Sequence, residues 1–225
     1  MASFPGRLSA IQKKVLEAFF ARESGFFLTG GGALVGFHLA HRTTDDLDLF
    51  TTDDGAFARS RFVLQSVAES LNANVSTRLE APGFRRVVLA TATEAVVVDL
   101  VLERVPQIHP TKDVVEGIRV DAADEVLANK LTTLVGRSEE RDLVDVMALE
   151  RAGFRIEDAL PLALQKDGGC TPATLAWLLS EIAIPDNTPL PAGVQPAELR
   201  EWIHGLVARL RRLAFPGDRK VETGE

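Results

Sequence analysis

The chain has few of the residues that build disulfide frameworks, zinc centres and membrane spans. It has 225 residues and a single cysteine, Cys170, which excludes an internal disulfide and is typical of a reducing compartment. Its four histidines form neither an H-E-x-x-H pattern nor a cluster with cysteine, so no zinc site is expected. No apolar run is long enough for a membrane span, and the first residues lack the apolar core of a signal peptide. We therefore expect a cytoplasmic protein that does not enter a membrane.

Positive charge is also scarce, since 25 Lys and Arg stand against 32 Asp and Glu, for a net charge of −7. This balance argues against a protein that coats nucleic acid without specificity. Seven of the basic residues form two clusters, each compatible with an RNA phosphate backbone or with a solvated surface. The clusters are Arg85 with Arg86 beside Phe84, and Arg209, Arg211, Arg212, Arg219 and Lys220. The polar residues from about Gly217 onward are expected to be disordered.

Two aspartates, Asp46 and Asp48, lie on an apolar strand at the end of the segment FFLTGGGALVGFHLAHRTTDDLDLF, residues 26–50. Alternate residues of a strand point to the same side, so both carboxylates face one place while Leu47 and Leu49 face the other. Carboxylates this close repel each other unless a cation lies between them. Mg²⁺, or Mn²⁺ in its place, is the expected cation, because Mg²⁺ binds one or two carboxylates together with substrate phosphates.

Three consecutive glycines, Gly30, Gly31 and Gly32, precede the helix of the same segment. A turn without side chains at a helix start lets backbone N–H groups approach an anion, and the helix dipole favours negative charge there. Taken alone, a glycine turn or an Asp-x-Asp strand has an ordinary structural interpretation. Together, a phosphate-binding turn and a carboxylate pair indicate chemistry on a nucleotide.

The same segment resembles the nucleotidyltransferase superfamily, and specifically its AbiEii/AbiGii toxin-type branch. The matching positions are Gly30, Gly31, Ala33, Leu34, His41, Arg42, Thr44, Asp46, Leu47, Asp48, Leu49 and Phe50. The chain departs mildly from the pattern at Gly32, where Thr or Ser is common, and at Thr44, where Ser is common. The resemblance implies that the three glycines, Arg42 and Thr44 bind the nucleotide, although Arg42 is equally suited to an ion pair with Asp45.

The resemblance also implies a third metal-binding carboxylate, on a neighbouring strand. Residues 94–102 have the composition of a buried strand that Asp99 interrupts, and a charge there is costly unless it is paired or bound to metal. We therefore expect Asp99 to complete the metal site and to act as general base, with Glu103 as the second choice. Two further catalytic residues are implied: Lys130, which contacts the triphosphate, and Asp142, which positions Lys130 or the incoming substrate. A snorkelling lysine and an acid at a helix start are the alternative interpretations.

The apolar patterns predict an α+β (α/β) fold in two parts. Residues 1–115 form a small mixed-sheet nucleotidyltransferase domain, and residues 116–225 form a helical domain that contributes to the active-site cleft. The expected reaction transfers a nucleoside monophosphate (NMP) from a nucleoside triphosphate (NTP) to an acceptor and releases pyrophosphate. The resemblance implies a toxin of a toxin–antitoxin pair, with tRNA as the leading acceptor and a cognate antitoxin as partner. Two alternatives stay open: a small-molecule nucleotidyltransferase of the antibiotic-modifying type, and a non-catalytic nucleotide-binding or interaction module.

Overall fold

The structure is a computed structural model and describes residues 6–216. Within that range it contains a seven-stranded mixed sheet and eight α-helices, which confirms the predicted α+β fold class. The tail from Gly217, with Arg219 and Lys220, lies outside the described residues. The chain divides into two compact units, Met1–Val126 and Leu127–Glu225. The domain boundary predicted between residues 115 and 116 falls in the turn between the last two strands of the sheet.

The first unit contains the whole sheet, in the order β3-β4-β5-β2-β1-β7-β6. The strands are β1 (Phe27–Thr29), β2 (Asp46–Thr51), β3 (Asn74–Ala81), β4 (Phe84–Ala90), β5 (Ala95–Leu102), β6 (Asp113–Val115) and β7 (Ile118–Val120). The helices of this unit are α1 (Ala10–Phe20), α2 (Gly30–Ala33), which continues as a π-helical turn over Leu34–His38, and α3 (Asp54–Ser70). The central strand β2 pairs antiparallel with β1 and parallel with β5.

The two faces of the central strands have opposite character. Leu47 and Leu49 of β2 are fully buried, as are Val98 and Leu100 of β5, and α1 and α3 pack on the same core. Each such side chain contributes about 1.5–3 kcal/mol of hydrophobic stabilisation. Because the side chains of a strand alternate, burying these residues places the intervening aspartates on the opposite face. The core thereby decides on which side of the sheet the acidic residues lie.

The second unit is helical. Its elements are the greater part of α4 (Ala123–Gly136), α5 (Glu140–Arg151), α6 (Ile156–Lys166), α7 (Pro172–Ser180), a 3₁₀ turn (Pro191–Gly193) and α8 (Pro196–Ala214). Pro172 and Pro196 occupy the first helical positions of α7 and α8. The backbone nitrogen at this position makes no hydrogen bond within the helix, so proline, which has no N–H, is tolerated there. Among residues 6–216, no helix is both long enough and apolar enough to cross a membrane.

Candidate active site

The structure brings the three predicted metal-site carboxylates together. Asp48 lies directly opposite Asp99 in the parallel pair of β2 and β5, and Asp46 is two residues before Asp48 on the same face. One carboxylate oxygen from each of the three lies within 4.8 Å of the others. Oxygens bound to one Mg²⁺ ion are at most about 4.2 Å apart, twice the metal–oxygen distance, so small side-chain rotations would suffice. Within residues 6–216, no other group of three or more His, Cys, Asp or Glu side chains converges in this way.

Glu103, the second choice for the third carboxylate, lies outside this group. Its Oε1 accepts hydrogen bonds from the backbone N–H groups of Arg104 and Val105, at 2.7 and 2.8 Å. Glu103 therefore stabilises the turn that follows β5. Asp99 is only 5% exposed, which matches the expectation that a carboxylate in this strand needs a partner.

Arg86 is the partner that the structure gives to Asp99. The two residues lie opposite each other on the antiparallel strands β4 and β5. Arg86 Nε donates to Asp99 Oδ1 at 2.8 Å and Nη2 donates to Oδ2 at 2.6 Å, a bidentate ion pair. These hydrogen bonds, together with the negative charges of Asp99, Asp46 and Asp48, raise the pKa of the Arg86 guanidinium above its ordinary value. The acidic group thus holds a positive charge supplied by the chain itself.

This arrangement corrects the prediction that Arg85 and Arg86 form one basic cluster. They are adjacent on a strand, so their side chains leave opposite faces of the sheet. Arg85 is 7% exposed and donates to Ser60 Oγ at 2.9 Å and to Glu80 Oε1 at 3.1 Å. A nucleic acid therefore has no joint Arg85–Arg86 surface to contact. The alternation of side chains along a predicted strand is the sequence signal that places the two residues on opposite faces.

Each glycine of the turn has its own packing reason. Gly30 adopts φ +58°, in the left-handed region, and a side-chain carbon there would overlap Oδ2 of Asp48. At Gly31 an added carbon would lie 2.9 Å from Nη2 of Arg42 and 3.1 Å from Oγ1 of Thr44. The turn thus lies directly against the acidic group and against two residues that were predicted to bind the nucleotide. Gly32 instead packs on the core, where the added carbon would lie 3.0 Å from Cδ1 of Leu28.

Thr44 connects this turn to the carboxylates, and Arg42 lies beside the same turn. Thr44 Oγ1 donates to Oδ1 of Asp46 at 2.9 Å, which orients that carboxylate. The backbone oxygen of Thr44 accepts a hydrogen bond at 2.8 Å from Nε2 of Gln12, a residue that the sequence had not singled out. Gln12 is itself held at the start of α1 by reciprocal hydrogen bonds with Ser9. Arg42 is 7% exposed and donates from Nη1 to the backbone oxygen of Thr43 at 2.7 Å.

In the second unit, Lys130 lies between two buried carboxylates. Its Nζ is 2.6 Å from Oδ1 of Asp142 and 2.8 Å from Oδ2 of Asp145. Burial by itself would lower the pKa of Lys130, but the charges of Asp145 and Asp142 outweigh it and the pKa is raised. Asp142 thus contacts the lysine that it was expected to position. The contact of Lys130 with a nucleotide stays a prediction.

Comparisons with known proteins agree with this geometry. The sequence model of the family described as nucleotidyl transferase AbiEii toxin, type IV toxin–antitoxin system, matches residues 14–211. Among solved structures, a candidate nucleotidyltransferase from Helicobacter pylori gives a TM-score of 0.54 at 17% identity, covering 90% of this chain and 94% of that one. The Helicobacter pylori protein JHP933 gives 0.52 at 19% identity, covering 92% and 93%. At these identities the two structures show a shared fold. No curated protein matches the sequence.

Proposed function

The chain belongs to the AbiEii nucleotidyl transferase toxin family, whose model matches residues 14–211, and we propose that this nucleotidyltransferase moves an NMP from an NTP to an RNA acceptor. The observation that carries the proposal is the convergence of Asp46, Asp48 and Asp99 within 4.8 Å, beside a turn whose Gly30 contacts Asp48. A phosphate-binding turn and an acidic group are the two parts that phosphoryl-type transfer requires.

In this proposal, Asp46, Asp48 and Asp99 hold one or two divalent cations, Mg²⁺ or Mn²⁺. The bound metal would neutralise phosphate charge and lower the pKa of the attacking hydroxyl. Thr44 orients the carboxylate of Asp46, and Asp99 accepts the proton of the hydroxyl. The backbone N–H groups of the glycine turn, next to the carboxylates, would bind the phosphates.

Three cationic or hydroxyl groups are proposed to contact the nucleotide as well. Arg42 packs against Gly31, and Thr44 lies beside the same glycine, so both flank the turn. Lys130 is proposed as a further phosphate contact, with Asp142 as the residue that positions its ammonium group. A lysine held at a fixed place by two carboxylates stays protonated at neutral pH and supplies a point charge.

We propose tRNA as the acceptor and the cytoplasm as the place of reaction. The family's description as a toxin of a type IV system implies a cognate antitoxin and a target on which cells depend. Arg211 and Arg212 are exposed on α8 and are suited to an RNA phosphate backbone, whereas Arg209 pairs with Glu150 at 2.5 Å. The single buried Cys170 is compatible with a reducing compartment.

The test is a transfer assay with Mg²⁺ or Mn²⁺, each of the four labelled ribonucleoside triphosphates, and total tRNA or a clarified lysate. The D46A/D48A double variant runs beside the wild type, and Asp54→Ala serves as the matched control. Asp54 is an exposed aspartate that pairs with the exposed Arg104. We expect label in RNA with the wild type and with Asp54→Ala but not with the double variant. Label in a small molecule would contradict RNA as the acceptor and would favour the antibiotic-type alternative. Absence of label under every condition would contradict NMP transfer.

A further inference from the structure

Arg86 forms a bidentate ion pair with Asp99 and so places a positive charge of the chain itself at the acidic group. Both oxygens of Asp99 accept N–H groups of Arg86, at 2.8 and 2.6 Å. The contact is built into the sheet, because the two residues are opposite each other on neighbouring antiparallel strands. Asp99 is one of the three carboxylates whose oxygens converge within 4.8 Å. The guanidinium therefore holds both oxygens of the carboxylate that would be the third ligand of a divalent cation.

We propose that Arg86 is an internal counter-ion that competes with a divalent cation for Asp99, so that a metal ion reaches all three carboxylates only when the guanidinium leaves Asp99. This inference rests on the proposed function, which assigns Asp46, Asp48 and Asp99 to the metal. The physical reason is charge. Three carboxylates at one place repel each other and need positive charge, but a guanidinium and a metal ion on the same carboxylate repel one another.

The two partners differ in their freedom to move. The Asp99 side chain is 7% exposed within the central strand β5, whereas the Arg86 side chain is 45% exposed. The Cζ atom of Arg86 also lies 5.9 Å from the ring centroid of Phe84, two residues earlier on the same face, which offers the guanidinium an additional contact. Release of Asp99 thus needs only the rotation of one long, half-exposed side chain, with no change in the sheet.

A second acidic group of the same unit, Asp121 with Glu125, has a counter-ion that is enclosed in the core. Lys112 lies 2.7 Å from Asp121 and 3.5 Å from Glu125, and all three side chains are at most 1% exposed. Lys112 also lies 4.4 Å from the ring centroid of Phe27, so it is enclosed on all of these sides. A cation from solvent cannot replace it without opening the core. Arg86 differs in its exposure, which makes exchange with a solvent cation feasible.

The test measures Mn²⁺ binding to the full-length protein by electron paramagnetic resonance of the unbound ion, without nucleotide. Arg86→Gln removes the counter-ion, and Arg104→Gln is the matched control. Arg104 forms a bidentate pair with the exposed Asp54, so this change alters net charge equally but away from the acidic group. We expect Mn²⁺ to bind Arg86→Gln about tenfold more tightly than the wild type, the size of one charge-assisted pair. Arg104→Gln should bind as the wild type does, and Arg86→Lys should fall between.

The other outcomes separate the two proposals. Unchanged affinity in Arg86→Gln, with transfer activity intact in the wild type, would overturn the competition and leave the proposed function standing. Weaker binding in a variant whose circular dichroism and melting temperature match the wild type would show that Arg86 orients Asp99 for the metal, and would also overturn it. If neither protein binds Mn²⁺, the metal site itself fails, and with it this inference.

Discussion

Replacing Gly30 by alanine is expected to remove turnover while leaving the protein folded. Gly30 has φ +58°, and its added carbon would overlap Oδ2 of Asp48. Gly30 is held between β1 and the remainder of α2, so the carboxylate is the group that has to give way. To make room for the methyl group of alanine, the carboxylate of Asp48 has to move by roughly 1 Å. The perturbation therefore acts on the metal site through packing, without removing any charged group.

The two consequences differ greatly in size. The left-handed backbone costs an alanine about 1–2 kcal/mol, which corresponds to a fall in melting temperature of roughly 2–8 °C for a chain of this length. A misplacement of about 1 Å at a reacting centre costs on the order of 100-fold in rate. We therefore expect kcat/KM to fall at least 100-fold, and Mn²⁺ affinity to fall with it, in a protein that still melts cooperatively.

The matched control is Gly205→Ala in α8. At this position an added carbon would meet nothing within 4 Å, and the backbone is outside the left-handed region. Transfer assays, Mn²⁺ titration and thermal melts on both variants make the comparison. A Gly30→Ala variant that keeps more than about one tenth of the wild-type kcat/KM would contradict a displacement of Asp48. So would a Gly205→Ala variant that loses as much activity as Gly30→Ala does.

Two further predictions concern the second unit. Lys130→Met should lower the free energy of unfolding by about 3–5 kcal/mol in urea titrations, because Asp142 and Asp145 would stay buried without the ammonium group of Lys130, while exposed Lys14→Met should change it little. The folded-state pKa of Lys130 is raised, so the stabilisation by its charge is complete below the ordinary lysine pKa and is lost only above it. The difference in unfolding free energy between the wild type and Lys130→Met should therefore be constant from about pH 7 to 9. A difference under about 1 kcal/mol would contradict the pairing. Burial raises the pKa of Cys170 to about 12, so a thiol reagent at about pH 8 should modify it only after denaturation, and rapid modification of the folded protein would disprove its enclosure.

Several elements of the fold follow from local sequence. The helix over Pro196–Ala214 begins at a proline and has an apolar stripe, two features that the local sequence shows directly. The strand with Asp46 and Asp48 is also as predicted, because period-2 alternation of leucine and aspartate requires no information from the rest of the chain. The helix after β1 differs from the expectation, which placed it after the three glycines. It begins at Gly30 and continues as a π-helical turn to His38, since packing against β2 overrides the low helix propensity of glycine.

Local sequence is therefore sufficient for the chemistry of the candidate site: it shows which carboxylates face the same side of a strand, and that glycines without side chains precede them. The partners of these carboxylates depend on the tertiary structure. Asp99 is opposite Asp48 and Arg86 is opposite Asp99 because β5 lies between β2 and β4 in the sheet. Strand order and register bring residues that are far apart along the chain into contact. Sequence neighbours such as Arg85 and Arg86 instead lie on opposite faces of the sheet. A contact of this kind depends on how the whole sheet assembles, and no local pattern around Arg86 specifies it.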